Sequence, residues 1–146
     1  MAEGFVLDTS VVSEFAPGRP ALAPKVASWV AAKEFRFHIA TITLAEISEG
    51  IAQLERAGAQ ERADKLQRWL SDLIERYDYR ILPLNLGAAI TAGRMADAAT
   101  ASGKHPGLAD VLIAATANEF GFAVLTRNLK HFIPLGVPCL DPFAPA

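Results

Sequence analysis

Two rhythms alternate along this chain, and that alternation narrows its fold more than any other feature. Short apolar runs of strand length, over residues 5–7, 36–41, 81–84 and 123–125, are separated by stretches whose apolar residues recur at helical spacing. Strands that alternate with helices pair in parallel through crossover connections. The expected fold class is therefore α/β with a parallel sheet. Over 146 residues this makes one domain, because a second independent core would be crowded.

Local signals place the elements. Phe5-Val6-Leu7 stops abruptly at Asp8-Thr9-Ser10, as a buried strand does before a helix cap, and a short helix over 11–15 is halted by Pro17-Gly18 and Pro20. A helix over 21–32 turns Val26, Trp29 and Val30 inward, and the second strand follows. Thr43 is a good start for the next helix, with Glu46 at the capping-box spacing. Leu44, Ile47, Ile51 and Leu54 mark its buried stripe, and Glu46 falls well off that stripe. After a break near Gly58, a helix over 61–77 carries Leu66, Trp69, Leu70, Leu73 and Ile74 and forms a hairpin with its predecessor. Its large apolar residues suit either a partner chain or the domain's own sheet. An Ala-rich helix over 86–99 leads through the turn-forming loop 102–107 to a helix over 108–120. That last helix is apolar nearly all round and so is buried on more than one side. The fourth strand ends in Thr126-Arg127-Asn128, and a last short strand is expected around 137–140.

Charge and cysteine content restrict the partners. A net charge of -2 gives no overall basic field, so nucleic acid would have to be met through bound cations or a local patch. The lone Cys139 can close no internal disulfide and excludes a Cys-rich zinc site, which fits a reducing compartment. Met1-Ala2-Glu3-Gly4 runs into the first strand without the pattern of a secretory leader, and no apolar run approaches the roughly 18 residues of a membrane span. The expected location is the cytoplasm, with no membrane partner.

In an open parallel sheet, ligands gather beyond the carboxyl ends of the strands, often where strand order reverses. Asp8 leaves the first strand at that rim, Glu46 follows the second within a turn or so, and Thr126 to Asn128 leave the fourth. Asp110 joins them only if its helix begins there. Three carboxylates in one crevice repel each other, and a divalent cation resolves the conflict. Oxygen-only ligation suits Mg²⁺ or Mn²⁺, which can activate water for displacement at phosphorus. Each acid also has a plainer reading: Asp8 as a helix cap, Glu46 as a capping or solvated acid, Asp110 as a complement to the helix dipole. The residues alone leave both readings open.

Four stretches resemble the PIN-domain family, especially its VapC and FitB-like toxins. Phe5-Val6-Leu7-Asp8-Thr9-Ser10-Val11-Val12-Ser13-Glu14 is similar to the family's first acidic motif, and Ala40-Thr41-Ile42-Thr43-Leu44-Ala45-Glu46-Ile47 with Gly50 to its second. Leu108-Ala109-Asp110-Val111-Leu112-Ile113-Ala114-Ala115-Thr116-Ala117 resembles the third, and Leu125-Thr126-Arg127-Asn128-Leu129-Lys130-His131-Phe132 the closing motif, with Leu140-Asp141-Pro142-Phe143 as the tail. Any one of these is weak, but four in order are specific. The resemblance implies a three-layer α/β/α sandwich around a mostly parallel sheet and a Mg²⁺- or Mn²⁺-dependent endoribonuclease. It makes Asp8, Glu46 and Asp110 the metal ligands and water-activating acids. Thr9 or Ser10, and Thr126, would give hydroxyl contacts to water or phosphate. Asn128 stands where many members carry a fourth acid, so a second metal position is weakened. The implied partners are RNA, a cognate antitoxin and a second copy of the chain.

Arg127, Lys130, Lys104 and His105 lie near the inferred rim and are candidates for RNA phosphate contacts, solvated loops being the alternative. His131 reads as structural. A receiver domain would need an acidic pair after the first strand and an Asp after the third, where Leu84 is followed by Asn85. A haloacid-dehalogenase-like phosphatase would need an acid at position 10, which is Ser. A PIN scaffold that mainly binds protein or RNA is the remaining rival, and the three retained acids speak against it.

Overall fold

The central strands of the sheet are buried on both faces, and the side chains show it. In the computed structural model, which describes residues 4–144, β1 (Phe5–Leu7) sends Val6 to one side of the sheet and Phe5 and Leu7 to the other. β2 (Phe37–Ala40) divides in the same way, with Phe37 and Ile39 on one face and Ala40 on the opposite one. Two-residue alternation between two dry layers is what a parallel sheet covered on both faces requires. The reading of Met1-Ala2-Glu3 falls outside the described residues.

The five strands run in the order β3-β2-β1-β4-β5, all parallel. The edges are β3 (Ile81–Leu82) and β5 (Cys139–Leu140), and β4 (Ala123–Leu125) lies between β1 and β5. β1 lies in the middle, with Phe5 opposite Phe37 on one side and Ala123 on the other. The chain steps outward from β1 to β3 and then crosses back over to β4. Strand order therefore reverses between β1 and β4.

The helices divide accordingly. α1 (Thr9–Val12), α3 (Thr41–Arg56) and α4 (Gln60–Tyr77) bury Val11, Val12, Ile47, Ile51, Ala63, Leu70 and Leu73 against one face. α2 (Pro24–Lys33) closes that layer with Trp29, whose ring lies 5.7 Å from Phe5 and 6.0 Å from Phe37. α5 (Leu86–Ala101), α6 (Leu108–Phe120) and the single turn α7 (Leu129–Phe132) cover the other face. There Ala92 and Ala99 of α5 join Ala114, Ala115 and Ala117 of α6 in one cluster, small residues that let two helices approach closely. The result is the α/β/α sandwich expected. Leu70, Leu73 and the partly buried Trp69 of the hairpin pack onto the chain's own core, while Ile74 on the same helix stays exposed.

Boundaries shift for physical reasons. The helix after Asp8 starts at Thr9 and tightens into a 3₁₀ turn over Ser13–Phe15. α2 begins at Pro24, whose fixed φ suits a first helical position. The third strand is only two residues long. α3 follows β2 with no connector: it begins at Thr41, its cap residue is Ala40, and no side chain caps it. The capping box expected of Thr43 and Glu46 is therefore not formed. Thr43 is instead fully buried inside the helix.

Candidate active site

The reversal between β1 and β4 sets the first acid. Asp8 extends the ladder by one residue, its N–H donating to the Leu125 carbonyl at 2.8 Å. Its side chain caps α1 by accepting from the Thr9 N–H at 2.8 Å, so the plain reading as a helix cap holds. The other carboxylate oxygen accepts from the Ser10 hydroxyl at 2.8 Å and from the Thr126 hydroxyl at 2.9 Å. Both hydroxyls are themselves held. Ser10 Oγ accepts from the Arg127 N–H at 3.1 Å, and Thr126 Oγ1 from the Asn128 N–H at 2.9 Å. Backbone N–H groups thus orient two hydroxyls, and the hydroxyls orient the acid. Asp8 is only 4% exposed. Three donors on roughly four lone-pair sites leave it one directed acceptor.

Glu46 reaches the rim from the second turn of α3, exposed as its position off the buried stripe requires. The Thr9 hydroxyl donates to Glu46 Oε1. It also shares a 3.2 Å hydrogen bond with the hydroxyl of Thr43, which lies three residues before Glu46 on the same helix. Thr9 is therefore the tie between α1 and α3. Thr43 was missed as a site residue, although its spacing from Glu46 places the two on one helix face.

Asp110 depends on the direction of α6. That helix ends at Phe120, and Gly121, at φ 71°, turns the chain straight into β4. Its first turn must then lie at the carboxyl rim, and Asp110 is in that turn. Burial pushes the Asp110 carboxyl above the usual carboxylate range, and the negative charge of Asp8 pushes it further. His131 opposes the shift, and Glu46 adds to it. The three acids thus share one electrostatic field.

His131, read as structural, lies beside an acid of the site. Its Nδ1 lies 3.4 Å from Asp110 Oδ2, and the side chain is half exposed. Glu14 was also unforeseen as a site neighbour. It accepts from Arg127 at 3.0 Å and from Arg19 at 2.5 Å, while the Arg127 guanidinium stacks over Phe143 at 5.0 Å. Arg127 is thereby turned to the acid and ring beside it. The Asn128 side chain makes no hydrogen bond among the described residues, and only its backbone N–H supports the site.

Among the described residues, no Lys or Arg pairs with Asp8, Glu46 or Asp110. No three of their His, Cys, Asp or Glu side chains are closed up tightly enough to enclose a metal directly. An all-oxygen set of uncompensated carboxylates fits Mg²⁺ or Mn²⁺ nonetheless. Mg²⁺ keeps several waters and is usually held by one or two carboxylates plus substrate phosphate.

The PIN domain family model matches residues 5–133, which takes in all three acids and Asn128. The chain belongs to the PIN-domain family. It is 33% identical over 142 residues to the VapC ribonuclease Y4jK of Sinorhizobium fredii, covering 97% of this chain and 99% of that one. The crystal structure of FitAcB from Neisseria gonorrhoeae matches with a TM-score of 0.82 at 29% identity, over 97% of this chain and 99% of that chain. VapBC-5 from Mycobacterium tuberculosis, a member of the VapBC family of toxin–antitoxin systems, matches with a TM-score of 0.65 at 25% identity, over 91% and 90%. In this PIN domain the reversal of strand order, the rim acids and the closing Thr126-Arg127-Asn128 segment are one continuous structure. No helix among the described residues is long and apolar enough to cross a membrane.

Proposed function

We propose that this chain is a Mg²⁺- or Mn²⁺-dependent endoribonuclease and the toxin of a toxin–antitoxin pair. It would act in the cytoplasm as a homodimer or higher assembly, held inactive by its antitoxin. The observation that carries the reading is that Asp8 and Glu46 both act electrostatically on Asp110 at the strand-order reversal, with no Lys or Arg paired with the three acids among the described residues. Its support from likeness is the ribonuclease named among the relatives and the toxin–antitoxin family named among the structures.

In this reading Asp8 and Asp110 hold the metal, and Glu46 works from the pocket wall. A bound divalent cation would supply water activation and charge neutralisation at the phosphorus. The chain's own contribution is orientation. Ser10 and Thr126 fix the Asp8 carboxylate, Thr9 fixes Glu46, and His131 steadies Asp110. Asn128 brings an uncharged amide to the fourth place, so a second ion would be held only with substrate present.

Cleavage of single-stranded RNA with Mg²⁺ or Mn²⁺, comparing wild type with Asp8→Asn and Asp110→Asn, tests this. Each substitution should lower the rate by at least roughly 10- to 100-fold, the scale on which metal sites respond to loss of a supporting group. Chelation should abolish activity. Equal rates in all three proteins, or cleavage that survives chelator, would sink the mechanism.

A further inference from the structure

Beside Asp110 lies a cavity of about 360 Å³, within the size range of small-ligand sites. Lys104, His105 and Gly107 of the α5–α6 loop line it, with Lys130 and His131 of α7 and Asp110 itself. Asp110 is the one acid in the lining, and it already faces His131 at 3.4 Å. Neither lysine has an ion-pair partner among the described residues. The cap position of α6, Gly107, offers no side chain to the first N–H groups of that helix, so its positive end adds to the field.

We propose that this cavity is a phosphate subsite, holding a phosphodiester of the RNA strand next to the one presented to the acids. Four basic side chains from two separate segments converge on one concave surface of a chain whose net charge is -2. Lysine ammonium groups serve phosphate as mobile point charges. Of the four rim residues singled out from sequence, Arg127 is withdrawn by Glu14 and Phe143, whereas Lys104, His105 and Lys130 share this cavity. The strand is thereby directed past α7 and the α5–α6 loop. For its substrate the inference rests on the nuclease reading, and the experiment separates the two.

Binding of a short fluorescent single-stranded RNA should be measured in the Asp8→Asn background across a salt series. Lys104→Gln with Lys130→Gln is compared with a pair that removes the same charge elsewhere, Lys25→Gln with Arg68→Gln. Loss of two phosphate contacts should flatten the slope of log affinity against log salt by about 1.4, or about 0.7 per contact. Affinity at low salt should fall roughly tenfold, while the control pair follows the parent. With Asp8 restored, the cavity pair should raise KM and leave kcat unchanged. Equal slopes in the two paired variants, or no RNA binding by the parent, would overturn the subsite. So would a cavity pair that loses binding to an acidic peptide while RNA binding is intact. If the slope flattens as expected but the wild type cuts no RNA with metal present, the nuclease reading falls and the subsite stands.

Discussion

Burial and the charge of Asp8 disfavour the ionised Asp110 carboxyl, and the effect on stability has a definite sign. The carboxyl therefore titrates above 3.8. The folded state then binds more protons than the unfolded one, so stability falls as pH rises from about 3.8 through the raised value. Above that window the full cost is present. Asp110→Asn should therefore stabilise the metal-free protein at neutral pH and raise its Tm. The gap should close as pH is lowered toward 4. Thermal melts in chelator check this, and a variant less stable than wild type at neutral pH would contradict it. The same residue shows how far sequence can reach. Asp8 was legible because a strand stops at it, and Glu46 because it leaves the buried stripe. Asp110 was legible as an acid in a first turn, but its rim position required the direction of α6. Glu14 and His131 were not legible as neighbours of the site, since their partners Arg127 and Asp110 lie 113 and 21 positions away.

At the level of elements, the connection from α4 to β3 holds a strained residue. Asp78 is the only non-glycine at positive φ among the described residues, at φ 46° and ψ -116°, where it ends α4. The turn that follows delivers Arg80, which donates to the carbonyls of Glu34 and Phe37, each at 2.9 Å, and lies 4.5 Å over the Tyr77 ring. That clasp fastens the two-residue strand β3 to the start of β2, and it explains why the strain persists. Asp78→Gly should release about 1 kcal/mol, raise the urea midpoint and leave RNA cleavage unchanged. A lower midpoint would show that Asp78 contributes more through its side chain than its backbone conformation costs. The elements themselves were largely readable from periodicity, but their starts were not. No local signal marks Ala40 as the cap of α3, because the helix is set by Thr41 following β2 without a loop and by burial of Thr43.

For the whole molecule, the consequence of three uncompensated acids is that metal should act as a folding ligand. An ion bound only by the native state, at a hundredfold excess over its dissociation constant, adds about 2.7 kcal/mol. For a chain of this length that is roughly 5–10 °C in Tm. Wild type should show this upward shift with Mg²⁺ or Mn²⁺, and the Asp8→Asn, Asp110→Asn double variant should not. Equal shifts in both proteins would place the ion elsewhere. At this scale the alternation of strands and helices was sufficient for the α/β class. The order of the strands was not readable from it, because which edge β4 joins depends on the side of the sheet that α5 and α6 cover.

The hydrogen bond from Thr126 to Asp8 joins residues 118 positions apart. Asp8 is therefore made well before Thr126 as the chain is synthesised. Until β4 slots in beside β1, the growing polypeptide has its acids in sequence but not in space. For a protein proposed to cut RNA, that timing matters: the message being translated is out of danger from its own product until β4 has been made and paired.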